Sequence, residues 1–478
     1  MNEHAHSAGT GLTHRETIFI VFGVLLPVFM GSLDTTILAS ALPTIGREFG
    51  DVNNLPWLIT AYLIANTAVT PLYGKISDIY GRKTTLLIAI GFYMLGSLVC
   101  ALAPNMFVLI LGRVLHGLGG GGLTSTGMVI LGDIAAPRER GKYYGYFSAT
   151  YTTAGACGPA LGGFLSEYAH WSMIFWINIP MGLIAIGLAL TLLRKLPRRE
   201  RRHTLDFFGA SLVMTASVAF MLALSMGGVR YGWTSTPILS LFAIAIVVGL
   251  GFVVRMVTAA EPLIPLPIFA TAGARNVILA NAFGWAGIVC LNIFLPIYLQ
   301  SMLGMAATTA GLSVLVLSVS LNISAGISGF VVLRMVRYKL LPMIGLVISV
   351  SAILVLARWG QTLTFWQFEC VLAIIGFGFG GLPPLSATML QNNVASHQLG
   401  SGVGTMQFSR NLLSTILISV FGALVLVSGG AAYGSKPGVL EYSSEGFTLI
   451  FYCIAASMTV ALIMLGITKP KPLMSTHA

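Results

Sequence analysis

Charge is scarce in this chain. Only 9% of its residues are Asp, Glu, Lys or Arg, while 56% are hydrophobic; soluble globular domains carry about a quarter charged residues. That shortage excludes the soluble globular class and leaves an integral membrane protein. Acidic residues are the scarcer sign, giving a formal net charge of +11. An excess of cations marks a nucleic-acid or acidic partner only where it forms a water-facing cluster. Here the cations sit in short segments between apolar runs. Even the six cations between Arg194 and Arg202 suit anionic lipid headgroups at a membrane edge rather than nucleic acid.

Chemistry-bearing clusters are equally sparse. The five cysteines, Cys100, Cys157, Cys290, Cys370 and Cys453, lie inside apolar runs with no CxxC spacing and no histidine close by, so neither a disulfide framework nor a zinc site is indicated. No nucleophile–base set is legible, and Gly117–Gly122 (GLGGGG) lacks the lysine and the soluble βα setting of a phosphate loop. The expectation is a protein that is not an enzyme, with no metal and no cofactor.

What the chain has is long apolar runs. Segments of about 18 or more residues fall near 18–42, 55–73, 84–103, 107–131, 142–165, 172–193, 206–226, 236–257, 274–300, 307–330, 340–357, 366–387, 401–428 and 447–467. This predicts fourteen spans. The first is too long for a signal-peptide core and carries Asp34, so it reads as a retained span. An even count puts both termini on one side. Placing that side in the cytoplasm gathers twenty of the 26 Lys and Arg there and leaves Arg47, Arg230, Arg358 and Lys436 opposite, with Arg113 and Arg410 inside spans. The positive-inside rule therefore predicts cytoplasmic termini in a multi-pass plasma (inner) membrane protein.

The basic stretch Gly74–Lys83 (GKISDIYGRK), read as a cytoplasmic loop between spans 2 and 3, has a degenerate copy in Gly329, Arg337 and Lys339, about 255 residues on. Leu333 and Val336 stand where the first copy has Asp78 and Gly81. Gly119–Gly122 with Gly141 is echoed by Gly376–Gly381 with Gly400, each with a 19-residue gap from the last glycine of the cluster. Spans 2–5 thus match spans 10–13. The predicted fold is an all-α membrane protein of two pseudo-symmetric six-helix bundles, 1–195 and 261–478, with two inserted spans and a basic linker in 196–260. Facing six-span halves are a transporter plan in which substrate binds near the midplane between them.

Asp34 is the sharpest single signal. It lies about eight residues from the outer end of span 1, or about 12 Å deep, where an ionisable group is costly unless it faces a cavity or a partner. Arg113 in span 4 reaches a similar depth and is positioned to pair with it, so that protonation of Asp34 would release the arginine. A static ion pair tying two spans together is the plainer reading. His116, at i+3 from Arg113, shares its helical face and is placed either to relay a proton or to pack by hydrogen bonding. Gln407, Arg410, Asn411 and Ser414 form a polar stripe on span 13, lining a substrate path or holding helices together. Met30, Tyr62, Trp285, Asn292, Phe294 and Tyr298 are candidates for the rest of a cavity wall. Glu369, near the outer end of span 12, is a weaker candidate for attracting cationic substrates. Gly155, Gly158, Gly162 and Gly163 put small residues along one face of span 5, and Pro159 bends it.

These motifs together resemble the major facilitator superfamily. GKISDIYGRK resembles its loop 2–3 signature, LILGRVLHGLGGGG its span 4 arginine motif, and GPALGG the span 5 motif of its antiporters. With LDTTILASALP in span 1, WINIPMG in span 6 and fourteen spans, the chain is similar to the fourteen-span drug:proton antiporters. The resemblance implies that Asp78 with Arg82 and Lys83 locks the cytoplasmic side, flanked by Gly74 and Gly81. It implies that Asp34 and Arg113 couple protons, and that Gly158, Pro159, Gly162 and Gly163 form a hinge between the halves. His116 departs from the usual glutamine. The implied function is proton-coupled efflux of amphipathic, cationic or neutral organic compounds by a functional monomer in contact with membrane lipids. Import or exchange of an endogenous metabolite is the alternative on the same fold.

Overall fold

The computed structural model describes residues 14–51, 54–135, 140–195, 206–228, 230–259, 262–264, 266–305, 307–332, 338–395, 398–428 and 444–469. These residues form seventeen α-helices. In the first half they are α1 (His14–Phe49), α2 (Leu55–Tyr80), α3 (Arg82–Ala101), α4 (Met106–Ile134), α5 (Arg140–Tyr168), α6 (Met173–Trp176) and α7 (Asn178–Leu192). Then come α8 (Phe207–Met226), α9 (Thr236–Thr258) and the short α10 (Leu266–Ala270). The second half holds α11 (Ala272–Met302), α12 (Ala307–Val332), α13 (Leu340–Trp359), α14 (Phe365–Phe379), α15 (Leu382–Asn393), α16 (Leu399–Ser428) and α17 (Ser444–Ile467).

Helix ends follow local chemistry. Asn105 caps α4 by accepting the Val108 N–H at 3.0 Å, and Asp206 caps α8 by accepting the Gly209 N–H at 2.9 Å. A reciprocal Thr364–Gln367 capping box opens α14. Two expected spans are broken helices: α6 and α7 meet at Ile177, and α14 and α15 meet at Gly380–Gly381, just ahead of Pro383 and Pro384.

Among the described residues, eleven helical segments are long and apolar enough to cross a membrane, with α6–α7 and α14–α15 each acting as one segment. Helices α2, α5 and α16, of 26, 29 and 30 residues, line the central cavity and carry its polar groups. The lipid-facing surface is apolar, as on α9, where Val247, Leu250, Val254 and Val257 are all exposed.

The stretch Gly74–Lys83 is not a loop. Helix α2 continues through Tyr80, and Gly81 alone, at φ +86°, separates it from Arg82 at the start of α3. A positive φ there makes the turn accessible to glycine at little steric cost. At Gly74, a Cβ would collide with the backbone of Gly400, so the missing side chain is what lets α2 and α16 touch.

Within the first half α4 packs on α2 and α3, and α1 packs on α5; within the second, α14 packs on α12 and α13, and α11 on α16 and α17. The glycine-rich faces of α4 and α14 play equivalent parts. Gly119 lies against the backbone of Tyr93 on α3, and Gly378 against Gly345 and Ser349 on α13. The halves meet along α2–α16 and α5–α12. Helices α8 and α9 pair with one another, and α8 lies against both α2 and α16. Ala210, Val213 and Leu263 form a small core there with Leu72, Phe252 and Phe408. Helices α8 and α9 therefore flank one of the seams. Arg337, Leu333 and Val336 of the degenerate second-half motif, and Arg198–Arg202 of the basic linker, lie outside the described residues. Lys339 is described, and its Nζ donates to the carbonyls of Gly466 at 2.5 Å and Thr468 at 2.6 Å, at the end of α17.

Candidate functional site

The apolar packing of α1 against α4 carries two charges at its centre. Asp34 is 2% exposed and Arg113 1%. Arg113 Nη1 donates to Asp34 Oδ1 at 2.8 Å and Oδ2 at 2.9 Å, while its Nε donates to the Leu58 carbonyl at 2.8 Å. The guanidinium also lies over the Tyr62 ring, 4.5 Å from the centroid. Desolvating two charges is costly, and this set of contacts offsets it.

His116 completes the cluster in an instructive way. Its Nδ1 sits 2.9 Å from Arg113 Nη1 and 3.5 Å from Asp34 Oδ1. An arginine nitrogen only donates, so His116 Nδ1 accepts, and the ring proton belongs on Nε2. That atom is buried without a hydrogen-bond partner, and the ring packs against Tyr93 with centroids 3.9 Å apart. In this arrangement His116 holds Arg113 and donates nothing to Asp34.

A second cluster lies where α2 ends. Asp78 accepts the Arg82 Nη1–H at 2.7 Å, the backbone N–H groups of Gly400 at 2.9 Å and Ser401 at 2.8 Å, and the Ser401 hydroxyl at 3.0 Å. It thus fastens the end of α2 to the start of α16 in the other half, with the dipole at that helix's N-terminus favouring its charge. Arg82 also donates from Nε to Asp133 at 2.6 Å. Lys83, one residue further round the helix, turns away and donates to the Leu190 carbonyl on α7 at 3.2 Å, so it takes no part in the cluster. Asp133 and Ser401 were not picked out by sequence; a lone acid in the last turn of α4 was the only available sign of the first. Other hydrogen bonds between the halves include Gln391 Nε2 to the Met128 carbonyl at 3.2 Å and Ser148 to Asn322.

Two connected hollows lie between the halves. One, of about 220 Å³, is mainly apolar, with Met128, Phe147, Trp285, Ile288, Leu321 and Met406 in its wall beside Asn281, Asn292 and Asn322. The other, of about 250 Å³, is polar, lined by Ser32, Thr35, Thr36, Tyr62, Asn66, Asn411 and their neighbours. Tyr151, Gln407 and Arg410 belong to both. Of the span 13 stripe, Gln407, Arg410 and Asn411 face this space, while Ser414 is buried and donates to the Arg410 carbonyl.

Three candidates for the wall lie elsewhere. Along α11 the wall residues Asn281, Trp285, Ile288 and Asn292 keep a helical stripe. Phe294 and Tyr298 fall off that stripe: the first packs on Phe421, the second on Phe368, Phe447 and Phe451. Met30 is fully buried, and its carbonyl accepts the Tyr93 hydroxyl at 2.8 Å. Glu369 is buried and accepts from Ser313, away from the lining. The span 5 glycines pack within their own half. A Cβ at Gly158 or Gly162 would strike Thr36, Ser40 or Ile37 of α1, within the same half. Gly155 lines the polar hollow, and nothing lies within 4 Å of the place a Cβ would take at Gly163. Pro159 lies within the continuous helix α5.

Similarity to known proteins agrees with this architecture. The chain is 30% identical over 422 residues to the Multidrug transporter protein MdtP of Bacillus subtilis, covering 88% of this chain and 77% of that protein. It is 30% identical over 420 residues to Multidrug resistance protein 3 of the same organism, covering 87% and 81%, and 31% identical over 411 residues to the efflux pump dotC of Dothistroma septosporum, covering 84% and 70%. Among solved structures, the human organic anion transporter MFSD10 superposes with a TM-score of 0.69 at 15% identity, over 94% of this chain and 99% of that one. The proton:xylose symporter XylE gives 0.65 at 14% identity, over 96% and 97%. The family model described as Major Facilitator Superfamily matches residues 24–419, and with the paired helical halves and the hollow between them it establishes that this multi-pass membrane protein belongs to that superfamily.

Proposed function

We propose that the protein is a proton-coupled antiporter that exports organic compounds by alternating access. The observation that carries the reading is the buried Asp34–Arg113 pair, one helix face away from the hollow between the halves. Thr35 and Thr36 face the hollow, while Asp34 points at α4. A proton on Asp34 removes the charge that holds Arg113, leaving the guanidinium with the Leu58 carbonyl, His116 and the Tyr62 ring. Tyr62 is itself part of the cavity wall, so a shift of Arg113 is felt where substrate would sit. Export is the direction suggested by the names of the relatives.

In this reading the eleven apolar segments and α2, α5 and α16 make fourteen crossings, arranged as six-helix bundles 1–195 and 261–478 around the inserted pair of 196–260. The Asp78 cluster faces the cytoplasm together with both termini, of which residues 1–13 and 470–478 lie outside the described set. With the Asp78 cluster made, the protein stands closed to the cytoplasm. It works as a monomer in the inner membrane. The test is flux into everted vesicles under an imposed proton gradient, over a panel of amphipathic compounds. Native protein should accumulate substrate as protons leave, and Asp34→Asn should abolish the gradient dependence while the protein remains folded. Gradient-driven accumulation that survives Asp34→Asn would remove Asp34 from the mechanism.

A further inference from the structure

The cavity holds a cation, Arg410, that has no counter-ion among the described residues. Arg410 projects from α16 at the boundary between the apolar and the polar hollow. Its guanidinium lies over the Trp285 ring, 4.4 Å from the centroid, and among the described residues no carboxylate pairs with it. Its Nε is buried without a hydrogen-bond partner. Among the described residues, neither hollow has an Asp or Glu in its lining. The carboxylate of Asp34 is engaged by Arg113 behind Tyr62, and Glu369 is held by Ser313 outside the lining. A charge at membrane depth without a partner is costly, and arginine, always protonated and forked, is suited to receive an oxyanion.

We infer that the transported compounds include amphipathic organic anions, whose carboxylate or sulfonate is received by Arg410 and whose apolar body occupies the hollow lined by Trp285, Ile288 and Met406. This names the substrate class within the efflux reading above and rests on it; it adds anions to the expected cationic or neutral compounds. Gln407 Oε1 and Asn281 Oδ1 are also buried without partners beside the same space, so a hydroxyl or N–H close to the acid group finds acceptors there. A cationic ligand would instead meet Arg410 as a like charge with no acid to offset it.

The experiment compares naphthoate, naphthamide and naphthylmethylamine, which share a body and differ in charge. Binding is measured by calorimetry on purified protein in nanodiscs, and transport separately in proteoliposomes. A charged hydrogen-bonded pair supports a preference of at least about tenfold for naphthoate over naphthamide. Arg410→Gln should remove that preference while leaving naphthamide binding within about threefold, and Arg410→Lys should keep part of it. Equal binding of acid and amide, tighter binding of the amine, binding of none of the three, or a preference that survives Arg410→Gln overturns the assignment. The efflux reading fails independently if naphthoate binds in this Arg410-dependent way yet is not moved in the proteoliposomes.

Discussion

Removing the charge of Asp78 should open the end of the molecule that it fastens. In the structure one carboxylate, with a side chain 6% exposed, accepts three hydrogen bonds from Gly400 and Ser401 of the opposite half. A hydrogen bond to a charged group contributes about 1.5–3 kcal/mol net, and a neutral one about 0.5–1.5 kcal/mol. Asp78→Asn keeps one acceptor oxygen and turns an amide N–H₂ toward backbone donors. The closed arrangement should therefore lose about 3 kcal/mol, which changes the closed-to-open ratio by about two orders of magnitude. The fold should survive, because Arg82 keeps its 2.6 Å bond to Asp133 and continues to tie α3 to α4. Spin labels at Tyr80, at the end of α2, and Ala395, after α15, are both exposed and lie on opposite halves. In a background lacking the native cysteines, double electron–electron resonance should show the Tyr80–Ala395 distance distribution shifting to longer values. Turnover should fall more than substrate affinity. An unchanged distance distribution with unchanged turnover would refute the fastening role.

Three further substitutions probe the buried pair and the α2–α16 contact. Arg113→Gln strands a buried carboxylate and should cost about 3–5 kcal/mol of stability, Asp34→Asn less because an acceptor oxygen remains, and the double variant should recover a large part of the loss. Melting temperatures of the four proteins in detergent check this, and strictly additive effects would show that the two residues are not coupled. Gly74→Val places a side chain where the Gly400 backbone lies, so it should abolish transport and shift the spin-label distance to longer values without loss of expression. Native transport in that variant would mean that the α2–α16 contact is not required.

The sequence made much of this legible because the bilayer constrains it strongly. Apolar run lengths marked the eleven long apolar helical segments, and an intramembrane acid and base at matched depths, Asp34 and Arg113, were readable as a pair. What it missed depends on rotation about helix axes. Single-residue offsets separate Met30 from the cavity-facing Gly31 and Ser32, and Lys83 from Arg82. Tyr298 lies far enough along α11 to have left the stripe that Asn281, Trp285 and Asn292 keep. Glycines of span 5 were legible as a close-packing face, but the partner helix, α1 rather than the opposite half, was not. The tail of α2 reads as a loop because its composition is polar, although a helix that leaves the membrane needs no apolar face.

By itself, then, the sequence determined that the chain is a duplicated helical membrane protein with one deeply buried acid–base pair, since hydrophobic length, small-residue repeats and charge asymmetry are local properties of the chain. Tertiary structure alone decided which groups share a space. It gave Asp78 its partners on α16, 322 and 323 positions away in sequence, made His116 an acceptor for Arg113, and left Arg410 facing the cavity with no counter-ion among the described residues. Such facts arise from how helices are rotated and docked against one another, and an isolated helix does not carry that information.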